Sequence, residues 1–259
     1  DVTTILAPFT GVDAAGRTVR LADESTVRYA TLILATGARH GYFGHDDWEP
    51  FAPGLKTVED ATAIRGRILT AFEEAERETS PARQESLLTF AIVGAGPTGV
   101  ELAGTIADLA HDTLPHDFRA IDTRKTKVLL VEAGPKVLSG YPDDLSQYAK
   151  AALENLGVEV SLGAPVTRIE RNAITFGDRR VEAHTIIWAA GVRASRAAEW
   201  LGVPADRNGR VIVEPDLSVP AHANIFVVGA TAAVKAPDGS PVPGIAPAAK
   251  QEGAFVAKT

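Results

Sequence analysis

Apolar residues recur along this 259-residue chain in two periods, and the places where the period changes divide it into elements. Between Val58 and Glu78 the spacing is helical, with Ile64, Ile68, Phe72 and Ala75 on one face. Thr57 and Asp60 stand at capping-box spacing and predict where that helix begins. Thr79–Arg83 reads as a loop. Upstream, Asp13–Gly16 is a turn leading into a strand at Thr18–Leu21, and Tyr29–Gly37 reads as a buried strand closed by a glycine. Downstream, Leu87–Val93, Lys127–Val131, Val158–Ser161 and Thr185–Ala190 are short, largely apolar runs of strand length. Between them the pattern predicts helices over Pro97–Leu109 and Leu145–Leu156, the second stopped by Gly157. Strand-like segments near Val166–Ile169, Ala173–Phe176 and Arg179–Glu182 are short. Asn224–Gly229 is a last apolar strand, and a helix begins near Ala246 after the linker Lys235–Pro243.

Strands that alternate with helices predict an α/β protein. The expected arrangement is a Rossmann-like nucleotide-binding domain at residues 88–200, inserted between residues 1–87 and 201–259, two pieces that could form one domain. A net charge of −7 with no basic stripe argues against a nucleic-acid partner. The chain has no cysteine, which excludes a disulfide framework, a thiolate metal site and an iron–sulfur cluster within it. Redox chemistry would therefore need a bound organic cofactor, and no metal site is expected. No apolar run is long enough to predict a membrane-spanning helix, and Asp1–Ile5 shows no export signal. The absence of any Met leads us to expect a trimmed or partial chain.

The chemistry concentrates at Gly94-Ala-Gly96-Pro97-Thr98-Gly99, which follows an apolar strand and opens a helical pattern. That context separates a dinucleotide-binding turn from a merely structural one. The first glycine permits the tight turn, the second lets a phosphate approach the backbone, and the third allows helix and strand to pack closely. The helix N-terminus then offers unpaired N–H groups to the pyrophosphate. Glu132, at the end of the next strand, is the acid expected to accept bonds from the adenosine ribose and to repel a 2′-phosphate, which favours NADH over NADPH. The alternative for Glu132 is a solvated strand-end acid. Lys136 is the nearest base downstream, and Leu114–Lys125 lengthens the approach to the strand.

Gly94–Gly104, Val128–Ala133, Ile187–Val192 and Ala35-Thr36-Gly37 together resemble the FAD-dependent pyridine nucleotide-disulphide oxidoreductases. Within them, Pro243–Gly253 is similar to the segment of type II NADH dehydrogenases that lies by the flavin and the quinone. The resemblance implies that residues 1–87 and 201–259 form a partial FAD-binding domain. It implies hydride transfer from NADH to FAD and then electron transfer to a quinone. It implies that Glu101 orients the nicotinamide or assists proton movement, the alternative being a favourable charge at a helix N-terminus. By the same resemblance Ala190 and Gly191 line the NADH cleft. Ala35, Thr36, Gly37, Gly229, Ala230, Ala246 and Pro247 would lie along FAD. Gln251, with Lys250, would stand near the flavin and the quinone, the alternative being a polar helix face.

The chain departs from this pattern in two places. The family's first glycine loop, which binds the ADP part of FAD, has no counterpart here. Ala230 stands where the family has an acid that contacts the ribityl chain; Ala30 likewise replaces a common acid. We therefore expect NADH to bind and FAD to bind weakly or not at all. The parent protein is expected to be cytoplasmic and peripheral on the inner membrane, through a C-terminal amphipathic segment that the chain does not contain, and to form a homodimer. Alternative functions are an NAD(H)-binding module without redox activity and a flavin-dependent reductase of ferredoxin-like proteins.

Overall fold

The computed structural model describes residues 2–259, which divide into two compact units, one made of residues 2–39 with 192–259 and the other of residues 40–191. The first unit opens with the antiparallel strands β1 (Phe9–Asp13), β2 (Thr18–Leu21) and β3 (Thr26–Arg28), followed by β4 (Leu32–Leu34). Strand β5 (Ala38–His40) follows in sequence and spans the 39/40 boundary.

The second unit carries α1 (Val58–Arg77), α2 (Pro81–Leu87), β6 (Thr89–Val93), α3 (Pro97–Asp108), β7 (Lys127–Val131), α4 (Asp143–Asn155) and β8 (Val158–Ser161). It continues through β9 (Val166–Glu170), β10 (Ala173–Phe176), β11 (Arg179–Glu182) and β12 (Thr185–Trp188). Its parallel sheet has the order β12-β6-β7-β8, while β9–β11 form an antiparallel meander. Alternation along β6 sorts the two layers. Phe90 and Ile92 join Ile64, Ile68, Phe72 and Ile106 under the helices, whereas Ala91 and Val93 meet Ile174 and Phe176 of the meander. Both faces of the sheet are thus covered, which is why its strands are apolar throughout.

Helix α1 starts where the capping box predicts: the Thr57 side chain accepts from the Asp60 N–H, and Asp60 accepts from the Thr57 N–H. Its face Ile64, Ile68, Phe72, Ala75 is buried against the sheet of the second unit. The compact-unit boundaries therefore fall at 39/40 and 191/192, not at 87/88 and 200/201, because residues 40–87 bury their apolar face against β6, β7 and β12. The stretch Pro81–Arg83, read as loop, instead starts α2, with Pro81 in the first turn. A proline there removes only an N–H that has no helical acceptor. The insertion before β7 is built of short helical turns, and Glu76 of α1 holds it by accepting from the N–H groups of Arg119, Ala120 and Ile121.

After residue 191 the chain returns to the first unit through β13 (Val192–Ala194), α5 (Ala197–Leu201), β14 (Val211–Ile212), β15 (Ser218–Val219), β16 (His222–Val227), β17 (Ala232–Ala233) and α6 (Ala246–Val256). β16 pairs in parallel with β4, and Leu34, Ile225 and Val227 form a core with Val12, Ala197 and Leu201. Among the described residues no helix is long and apolar enough to cross a membrane.

Candidate dinucleotide-binding site

In the second unit the chain runs from β6 to β7 and β8 on one side, then returns to place β12 on the other side of β6. The carboxyl ends of β6 and β12 are therefore the point where strand order reverses, the usual place for a nucleotide crevice in such sheets. A cleft of about 430 Å³ opens there, lined by Val93, Gly94, Gly96, Glu132, Trp188 and Ala190 among others.

Each glycine of the loop has a distinct geometric reason. Gly94 has φ +101° and approaches so closely that a Cβ would stand 2.7 Å from the Ala190 backbone. A Cβ on Gly99 would lie 1.8 Å from the Gly94 carbonyl oxygen, so only glycine allows α3 to pack on the turn. At Gly96 nothing lies within 4 Å of the Cβ position. That open space faces the cleft at the start of α3, where a side chain would stand in the way of a phosphate. Pro97 has no N–H, and Gly96 caps the helix, so the N–H groups of Thr98 and Gly99 have no acceptor within the helix. Together with the helix dipole they form an anion-binding end. The residues present fit a pyrophosphate.

Glu132 lies half-buried in the cleft wall, and its two oxygens have protein partners. Oε2 accepts from the Ala95 N–H at 2.7 Å, and Oε1 accepts from the Gly134 N–H at 2.7 Å. The carboxylate thus ties the end of β7 to the glycine loop. A carboxylate has about four acceptor positions, so two remain for ribose hydroxyls. No Lys or Arg lines the cleft among the described residues. Lys136, the nearest base downstream, donates to the Tyr141 carbonyl and to Asp143 at 2.7 Å.

Ala190 and Gly191 both line the cleft. At Gly191, φ is +69° and a Cβ would meet the Gly41 carbonyl oxygen at 2.5 Å and the Phe43 ring at 2.7 Å. Its small size thus admits residues 41–43. Those residues belong to an aromatic wall that the sequence pattern does not single out. Trp188 donates its indole N–H to the Gly41 carbonyl, lies 5.0 Å from the Tyr42 ring, and shares the cleft with Phe43, His45 and Trp48. His45 stacks on Trp48 at 4.1 Å and 7°. Three aromatic residues within Tyr42–Trp48 were the available signal, but they follow neither period.

Glu101 is exposed on α3 and is not among the residues that line the cleft. The remaining expected residues lie in the first unit. Ala35 and Thr36 are exposed beyond β4, and Thr36 bonds to Ser195, which bonds in turn to Thr231. Gln251 and Lys250 are exposed on α6; their neighbour Glu252 carries the contact there, accepting from the Gly229 N–H at 2.6 Å. Ala246 and Pro247 form the first turn of α6, and Gly244 packs near Ala230. For a flavin the fit is incomplete: the Gly229 N–H is already taken, and residue 230 offers a methyl group to a polyol.

The family model for pyridine nucleotide-disulphide oxidoreductases matches residues 1–253. The type II NADH:quinone oxidoreductase Ndh of Mycobacterium tuberculosis is 48% identical over 100% of the chain, which covers 58% of that relative. NdhA of the same organism is 46% identical over 88% of the chain and 52% of its own length. NDH2 of Plasmodium falciparum, solved in complex with NADH, superposes with a TM-score of 0.81 at 20% identity, over 89% of this chain and 50% of that one. The chain spans a little over half the length of the curated relatives it matches. With a two-dinucleotide-domain α/β fold and a family model that matches it through residue 253, the chain belongs to the pyridine nucleotide-disulphide oxidoreductase family.

Proposed function

We propose that the second unit binds NADH and that the protein is an NADH:quinone oxidoreductase of the type II class. The observation that carries this reading is the empty Cβ position of Gly96 beside the unpaired N–H groups of α3, with Glu132 at the end of the neighbouring strand. The pyrophosphate would lie at the α3 N-terminus and the adenosine ribose against the free acceptor positions of Glu132. Phe43, Trp48 and Trp188 give the cleft an apolar, aromatic wall. Glu101 and Gln251 are assigned to the nicotinamide and acceptor sides on family resemblance alone.

In the proposed reaction NADH is the hydride donor and a quinone is the final two-electron acceptor. The similarity to two mycobacterial NADH:quinone oxidoreductases supports this assignment. Peripheral attachment to the cytoplasmic face of the inner membrane and homodimer formation belong to the same proposal. NADH oxidation with a water-soluble quinone, measured with and without added FAD, tests it. Quinone-dependent turnover supports the reading. Tight NADH binding with no turnover under either condition supports a nucleotide-binding module, and turnover only with a protein acceptor supports a ferredoxin-type reductase.

A further inference from the structure

The parallel sheet has a second polar cleft at its other end, where β12 begins. It encloses about 300 Å³ and is lined by Arg67 of α1, Arg171 and Asn172 of the β9–β10 turn, and His184 and Thr185 at the start of β12. Pro50 and Phe51 complete its wall. The glycine loop follows the carboxyl end of the neighbouring strand, so β12 and β6 separate the two clefts along their length.

We propose that this cleft binds a tetrahedral oxyanion, the phosphate group of a small molecule. Three observations point to it. The Thr185 hydroxyl is buried and has no hydrogen-bond partner, and Thr185 is only 1% exposed in the floor of the cleft. A buried hydroxyl without a partner is costly, and a ligand oxygen would satisfy it. Next, neither Arg67 nor Arg171 forms an ion pair or a side-chain hydrogen bond among the described residues, in a chain of net charge −7. Both arginines line the cleft from separate elements, and a phosphate, with more oxygens than a carboxylate, can accept from two guanidinium forks at once.

Finally, burial lowers the imidazole pKa of His184; Glu74 opposes this, and Arg83 and Arg67 add to it. His184 is therefore a neutral donor at neutral pH, and Glu74 is the acid that faces it. An anion placed between Arg67, Arg171 and His184 would favour the charged imidazole, so binding would draw a proton onto His184.

The experiment uses the whole chain, with inorganic phosphate and glycerol 3-phosphate as probes and chloride at equal ionic strength as the control. Binding is read by thermal shift and by the histidine side-chain NMR signals. Saturable stabilisation beyond chloride is expected, together with a shift of the His184 signal that NADH does not displace. Arg171→Ala and Arg67→Ala, both exposed positions, should each weaken phosphate at least about tenfold and leave NADH binding unchanged. Thr185→Val, close to isosteric, should weaken it less. Tighter binding of the ester than of free phosphate would identify a phosphate monoester as the ligand; equal binding would identify free phosphate. Absence of saturable binding, displacement of phosphate by NADH, or undiminished binding in both arginine variants would overturn the proposal. The NADH titration is independent of these readouts, so either site can fail alone.

Discussion

Replacing Glu132 by Gln changes one atom and tests two roles at once. In the folded chain each carboxylate oxygen accepts a 2.7 Å bond, one from Ala95 in the glycine loop and one from Gly134. Glutamine retains one acceptor oxygen and turns an NH₂ group toward the other N–H, so one bond is lost and the other becomes neutral. Hydrogen bonds to charged groups contribute about 1.5–3 kcal/mol each, and Glu132 is partly exposed, which favours the low end. The expected loss is about 2 kcal/mol, or a melting temperature lower by roughly 4–8 °C for a unit of this size. The ribose loses a charged acceptor in the same step, so the Kd for NADH should rise about 10- to 100-fold. Thermal melts and NADH titration by tryptophan fluorescence read the two effects separately. A lower melting temperature with unchanged affinity would make Glu132 a tie for the loop and refute its role at the ribose. If neither changes, both roles are refuted.

Other outcomes follow from the same geometry. Lys136 is held by Asp143 and no Lys or Arg lines the cleft among the described residues, so NADPH should bind at least about tenfold more weakly than NADH in parallel titrations. Phe72→Ala removes a fully buried ring 5.4 Å from Phe90 and should destabilise the fold by about 3–5 kcal/mol in denaturant unfolding. Burial raises the Asp60 pKa, but bonds from the Thr57 and Lys56 N–H groups and from His40 outweigh this and hold it at about 2, against an ordinary 3.8. A depressed carboxyl stabilises the fold above its unfolded pKa and loses that contribution as pH falls through the folded value. Asp60→Asn should therefore cost about 1 kcal/mol at neutral pH, after allowance for its exposure, and the gap to wild type should close between about pH 4 and about pH 2.

How much of this was legible in the sequence depended on whether a signal was local. The capping box of Thr57 and Asp60, the helical face from Ile64 to Ala75 and the glycine turn are set within a few residues, and all three hold in the structure. Local chain chemistry could not say which sheet that helical face would bury. Residues 40–87 therefore join the second unit instead of the first. Ser80-Pro81 has the same composition whether it ends a loop or starts α2, and tertiary packing of Leu87 decides for the helix. The aromatic wall is assembled from Tyr42–Trp48 and Trp188, far apart in sequence, so no periodicity reveals it. Glu132 was visible as a strand-end acid, whereas its bond to Ala95 spans 37 residues and is visible only in the fold.

The central claim is that the pyrophosphate of NADH occupies the space at Gly96. Gly96→Val tests it most directly, because nothing lies within 4 Å of the new Cβ and the fold has no reason to change. Loss of a favourable cap residue should cost only about 1 kcal/mol. Titrating NADH into wild type and variant, with fluorescence of Trp48 and Trp188 in the cleft wall as the signal, should give saturable wild-type binding and a Kd raised at least about 100-fold in a variant that still melts cooperatively. Equal affinities in the two proteins, or no saturable binding by the wild type, would contradict the account.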